Sequence, residues 1–344
     1  MTNTLVIASE NNLENVDLLS AAGQAANHFA TQSVFENYRD RKARNTLDRQ
    51  AHDLACFAAY LAEAGVQAGS LAEDAEAWRG VTWGLVEGFV RWQIKQGFAI
   101  GSINVRLSTV KMYARLALKA GALTAADEAL IRTVQCYRHV EGKRIDEQRT
   151  ETRRGHKKAA ATILTPEQAA ALRIQPDTPQ GRRDAVLMGL LLTLGLRAGE
   201  AVGVRVQDVD VTSGYLTFYR EKVDKVQTHQ LVDGLWSSLK AYIEHGDAPT
   251  EPDTPLLRAS NKHGDLTAAG LTRFGIAQRV QQIGERIGVE HLSPHDCRHY
   301  WATSAARNGT PIDRLQEAGG WASPAMPLRY IEAAAIANEG VKLG

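Results

Sequence analysis

Cysteine is scarce in this chain of 344 residues: Cys56, Cys136 and Cys297 stand far apart and never fall in a CxxC pair. That spacing argues against a disulfide framework and a thiolate zinc site, and it suits a reduced compartment. Long apolar runs are missing too, so no stretch of the sequence reaches membrane-spanning length. The opening "MTNTLVIASENNLENVDLLS" has no basic stretch ahead of its short apolar ones, a poor signal peptide, and the expected location is the cytoplasm. An excess of one charge is also lacking, since 40 Lys and Arg face 39 Asp and Glu for a net of +1. Composition therefore gives no overall sign of a polyanionic partner, which is usually met by a patch rather than by the total. Low-complexity tracts and internal repeats are absent. With 44% apolar and 23% charged residues, the chain is long enough for two domains, each with its own core.

What is present, from residue 31 to about 140, is helical periodicity. In "NTLDRQAHDLACFAAYLAEAG", Leu47, Leu54, Phe57, Ala58 and Leu61 share a face and Gly65 supplies the stop. "VTWGLVEGFVRWQIKQG" and "SINVRLSTVKMYARLALKAG" give two more helices, and Thr124 with Asp127 caps a fourth. On the third, Leu107, Val110, Ala114 and Leu118 form an apolar stripe. Another face carries Asn104, Ser108, Lys111, Arg115 and Lys119, which reads either as solvated surface or as a basic patch. Residues 1–30 read as a flexible N-terminal extension. The segment 141–162 lacks apolar periodicity and has a basic tail at Arg153, Arg154, Lys157 and Lys158, the signature of a linker.

A second domain is expected over 163–344. Thr165, Pro166 and Gln168 open its first helix with a capping box, and "RRDAVLMGLLLTLG" gives a buried one that stops at Gly195. "YLTFYREKVDKVQTHQLV" alternates on both sides of a polar turn and predicts a hairpin, with further helices over 234–245 and 267–287. The domain is thus mostly helical with a small antiparallel sheet.

Near the C-terminus, "SPHDCRH" starts a helix: Ser293 as N-cap, Pro294 at the first position, Asp296 completing a capping box. His295 and Arg298 then share a face beside the positive end of the helix, a place suited to a phosphate. A metal reading would use His291, His295, Cys297 and His299. Only His295 and His299 have helical pair spacing, there is no HExxH glutamate, and Arg298 between them repels a cation. Elsewhere, "LGLRAGEAVGV" places Arg197 after the buried helix with Glu200 three residues on, and "REKVDK" puts Lys222 in the hairpin turn. Trp321 follows Arg298 by 23 positions, and Tyr330 follows Trp321 by nine.

This set resembles the tyrosine recombinase (phage integrase) family, whose active site is an arginine in a "GLR..E" box, a turn lysine, an H-x-x-R box, a His or Trp after glycine, and a tyrosine nine residues further. Trp321 within "LQEAGGW" and the helix in "GFAIGSINVRLSTVKMYARLALKAGAL" are similar to the Cre recombinase branch. The resemblance spans about residues 31–340, strong in the last 150 and weak before them.

The resemblance implies a mainly α fold with a small antiparallel sheet, in which a helical core DNA-binding domain (31–140) precedes a mixed α/β catalytic domain (163–344) ending in a docking tail. It implies Tyr330 as nucleophile, Arg197 and Arg298 as phosphate clamps with Glu200 holding Arg197, and His295 as the candidate base. Lys222 becomes the acid for the leaving 5′ oxygen, with Lys225 the alternative, and Trp321 either donates its indole N–H or packs the site. A covalent 3′-phosphotyrosine conserves the bond energy, so neither ATP nor metal nor any other cofactor is called for. Double-stranded DNA is the implied partner, gripped through Lys111, Arg115, Lys119 and the basic linker by two domains closing as a clamp, with a homotetramer assembled on two sites by tail exchange. A type IB topoisomerase, an inactive DNA-binding module of the same fold and a metal-dependent nuclease are the rival readings. The short stretch ahead of residue 31 favours a simple system acting on short inverted repeats.

Overall fold

The computed structural model describes residues 4–148 and 162–334, and the chain divides into two compact units between Lys157 and Lys158. The first unit contains α1 (Thr4–Gln32), α2 (Val34–Asp40), α3 (Arg44–Glu63), α4 (Trp83–Lys95), α5 (Ile100–Lys119), α6 (Ala125–Thr133) and α7 (His139–Gln148). Its core gathers Leu54, Phe57 and Leu61 from α3, Phe89 from α4, and Ile103, Leu107 and Val110 from α5 around Trp78. These are the residues that recur at helical spacing, so the apolar stripe is what folds this unit. Gly65 follows α3 with φ +81°, and Thr124 caps α6 by accepting the backbone N–H of Asp127. The stretch expected as a flexible extension is helical from Thr4 onward, and the expected linker is helical as far as Gln148. Glu141 accepts the backbone N–H of Arg138 at the start of α7, a local cap that lets a polar segment form a helix without an apolar stripe.

The second unit contains α8 (Pro166–Arg173), α9 (Pro179–Leu192), α10 (Ala198–Gly203), β1 (Val209–Asp210), β2 (Tyr215–Arg220), β3 (Lys225–Gln230), α11 (Asp233–Glu244), β4 (Arg258–Ser260), β5 (Leu266–Gly270), α12 (Arg273–Arg286), α13 (Pro294–Arg307), α14 (Ile312–Gly319) and α15 (Ala325–Ala334). The capping boxes of Thr165 with Gln168 and Ser293 with Asp296 form as the sequence predicts. Helix α9 is buried on every side from Val186 to Leu192 and forms the centre of the core. Strands β1, β2 and β3 make an antiparallel sheet in sequence order, with Tyr219 opposite Val226 and Arg220 opposite Lys225. The helix expected over 267–287 begins only at Arg273, because Leu266–Gly270 pairs with β4 as a second hairpin. Thr272 accepts the Gly275 N–H and so fixes the true helix start.

Candidate active site

Arg197 sits in the turn between α9 and α10. Glu200, one turn into α10, accepts the Arg197 backbone N–H at 2.8 Å and its guanidinium at 2.6 Å. The same guanidinium donates to the Gly320 carbonyl at 3.3 Å. Burial alone would raise the Glu200 carboxyl. The Arg197 backbone N–H and the guanidinium of Arg220, joined by that of Arg197, outweigh it and hold the group below the usual carboxylate range. Glu200 is therefore an anion shared by two arginines.

Arg298, on the first turns of α13, is 3% exposed. It donates to the carbonyls of Gly195 and Gly319, and its guanidinium lies 4.6 Å from the centre of the Trp321 ring. Burial first, then neighbouring Arg197, pushes its pKa down to about 10, so it stays charged at neutral pH. Two glycines make room for this arrangement. A Cβ on Gly195, at φ +63°, would meet the Trp301 ring at 2.3 Å, and one on Gly319 would meet the Trp321 ring at 2.1 Å.

Trp321 and Tyr330 form a small core of their own with Ala302 and Leu315, where they are 8% and 5% exposed. Their rings are 5.4 Å apart, and the histidine in ring contact with Tyr330 is His299, edge-on at 5.1 Å. The charge of a Tyr330 phenolate would be felt by Arg298, which places the two side chains in one electrostatic neighbourhood. His295 is exposed in the first turn of α13. Burial, followed by the presence of His295, pushes the pKa of His299 below the usual imidazole value. His299 figures in the sequence only as a metal candidate; a position one turn beyond His295 on the same face is the signal that pairs it with the site.

Lys222 lies in the turn of the β2–β3 hairpin and makes no hydrogen bond or ion pair among the described residues. It lines a pocket of about 200 Å³ with Arg197, Gly199, Glu200, Tyr219, Glu221 and Arg273. Lys225 instead pairs with Glu317, its ammonium 2.6 Å from that carboxylate. The sequence reading missed Arg220. It ends β2 wholly buried, and donates to Glu200 at 2.8 Å, to the Ala318 carbonyl at 2.7 Å and to the Gln227 side chain. Its signal was present: Leu216, Phe218 and Arg220 occupy the same inward parity of one strand, so an arginine there has to be buried.

The expected DNA-binding residues divide. Lys111 donates to the carbonyls of Arg132 and Val134 at the end of α6, and Arg115 is 3.8 Å from Glu128, which is buried between Arg115 and Arg132. Both therefore have work inside the fold, whereas Lys119 is exposed at the end of α5. Arg153, Arg154, Lys157 and Lys158 lie outside the described residues, as do residues 335–344 of the tail. Among the described residues no group of three or more His, Cys, Asp or Glu is arranged to hold a metal ion, and no helix is long and apolar enough to cross a membrane.

Comparison with known proteins gives a consistent result. Tyrosine recombinase XerD of Neisseria meningitidis serogroup B is 28% identical over 187 residues, covering 52% of this chain and 61% of that protein, so the chain spans less than two thirds of that relative's length. The structure of a lambda integrase dimer bound to a COC' core site matches 99% of this chain and 89% of that one, at 14% identity and a TM-score of 0.58. The Tn1549 transposon integrase in complex with circular intermediate DNA matches 88% and 94%, at 15% identity and a TM-score of 0.61. At these identities the two structures speak for the fold, which is that of an integrase, mainly helical with small antiparallel sheets. The model of the phage integrase family matches residues 162–335, half of the chain and nearly all of its second unit. The chain belongs to the phage integrase family.

Proposed function

We propose that the protein is a site-specific DNA recombinase that cleaves and rejoins strands through a 3′-phosphotyrosine at Tyr330. The observation that carries this reading is the convergence of two guanidiniums on one segment: Arg197 and Arg298 both donate to the Gly319–Gly320 backbone that leads into Trp321 and on to Tyr330. A phosphodiester gains negative charge as it becomes pentacoordinate, and fixed cationic forks aimed at its oxygens lower that barrier. The Tyr330 oxygen attacks phosphorus, the bond from phosphorus to the 5′ oxygen breaks, and Lys222 supplies the proton that this oxygen needs. His295 is the candidate to take the tyrosine proton. The free 5′-hydroxyl then reverses the attack on the same strand or on a partner strand.

Double-stranded DNA is the partner in this reading, with affinity that falls as salt rises. The homotetramer with tail exchange, the similarity of the "LQEAGGW" segment to the Cre branch, and action in the cytoplasm belong to the same proposal. The test is denaturant-resistant capture: protein is mixed with fragmented genomic DNA and chelator, denatured, and whatever stays attached is sequenced. Enrichment of one sequence supports a recombinase. Adducts on every fragment support a topoisomerase-like activity, and no adduct at all contradicts the reading.

A further inference from the structure

Arg220 occupies a place that the reaction chemistry does not by itself require. It is a wholly buried cation two residues before Lys222, and each of its donors reaches a different part of the site. One goes to Glu200 on α10, the carboxylate that also holds Arg197. A second goes to the Ala318 carbonyl on α14, just ahead of the Gly319–Gly320–Trp321 segment. A third goes to Gln227 on β3, whose amide in turn donates to the Glu317 carbonyl at 2.8 Å. The guanidinium also stacks over Phe218 at 4.8 Å. Gly320 completes the fit, since a Cβ there would lie 2.3 Å from Cδ of Arg220.

A lysine at this position would offer a compact ammonium, whereas the planar fork reaches all three acceptors in one orientation. Burying a cation is costly unless it is paired and fully hydrogen-bonded, and Arg220 shares its single carboxylate with Arg197. An apolar residue would fill the inward position of β2 beside Leu216 and Phe218 at lower cost, so what the arginine adds is its set of directed hydrogen bonds rather than burial. By contrast, the partners of the turn itself are exposed: Glu221 with Arg273 at 3.6 Å and Lys225 with Glu317 at 2.6 Å, contacts of the kind worth little in water.

We infer that Arg220 is a positioning residue that locks the Lys222 turn and the Trp321 segment onto the Arg197–Glu200 pair, so that the general acid meets the phosphate already held by the arginines. The inference rests on the recombinase reading, and its test separates the two. The duplex enriched by capture is synthesised in two forms, one with the normal 5′ oxygen at the scissile phosphate and one with sulphur, which leaves without a proton. Arg220→Lys is expected to lower cleavage of the oxygen form about 10²-fold, the scale of a general acid, and to cleave the sulphur form within a few-fold of the unchanged chain. An equal deficit on both forms, or none on either, overturns the inference.

Hydrogen exchange on the full chain without DNA gives a second readout that survives if the unchanged chain forms no adduct. Arg220→Lys is expected to lose protection over 221–227 and 316–321 together, while the α9 core keeps its own. Unchanged protection in those two segments overturns the inference whatever the activity is. A variant that loses protection throughout has unfolded, and Arg220→Gln, which keeps a donor and shortens the reach, then takes its place with the same two outcomes.

Discussion

The choice between Lys222 and Lys225 turns on location, since the exposed Lys225–Glu317 pair is worth little in water and only Lys222 lines the pocket with Arg197. Lys225 is paired with Glu317, while Lys222 faces the pocket it shares with Arg197. Lys222→Ala is therefore expected to cleave an ordinary duplex about 10² to 10⁴ times more slowly and to recover on a 5′-thiol leaving group, whereas Lys225→Ala shows no such selective recovery. Single-turnover rates on the two substrates check this, and recovery by the Lys225 variant would reverse the assignment. Arg197 and Arg298 also differ more than their shared role suggests. Each alanine variant is expected to slow cleavage by about 10² to 10³. Arg298→Ala additionally leaves the Gly195 and Gly319 carbonyls unpaired inside the fold, so it is expected to cost about 1–3 kcal/mol of stability in denaturant titrations, against little for the partly exposed Arg197. Motif spacing proposes both arginines, but it carries no information about burial, and so it gave no warning that Arg298 is buried against the Gly195 and Gly319 carbonyls.

At the level of elements, the parts readable from sequence are those fixed locally. Capping boxes at Thr165 and Ser293, the glycine stop after α3 and the β2–β3 hairpin each depend on residues within a few positions of one another. Strand β5 escaped notice because "LTAAG" has little β propensity and is held by pairing with Arg258–Ser260. The tasks of Lys111 and Arg115 escaped too, since their partners are on or beyond α6, well along the chain. The hairpin also carries a pH dependence. Burial, with Arg220 beside it, pushes His229 down to about 4 from its usual 6.5. Between those values the unfolded chain takes up a proton that the folded chain refuses, so stability falls as pH falls from about 6.5 to about 4. Melting temperature measured across that window is expected to drop more steeply for the unchanged chain than for His229→Gln. Equal slopes would remove His229 as the cause.

On the scale of the whole molecule, the chain divides into two units between Lys157 and Lys158, and the sequence expects a linker over 141–162. The family of the second unit was legible in the sequence because its candidate site residues come from short motifs at fixed spacing. The first unit offered only amphipathic helices, a pattern that builds a core equally well for many purposes. Strand cleavage driven by tyrosine, arginine and lysine needs no divalent cation, so adduct formation is expected to be equal with and without chelator; strand cleavage that leaves no adduct and vanishes in chelator would point to a metal-dependent nuclease. The most direct measurement digests the captured protein–DNA complex with protease and nuclease and finds, by mass spectrometry, which peptide carries the nucleotide. The expected result is a 3′-nucleotide on Tyr330, absent when Tyr330→Phe is used at matched DNA occupancy. A nucleotide on any other residue, or an adduct that persists in Tyr330→Phe, would contradict the assignment of the nucleophile.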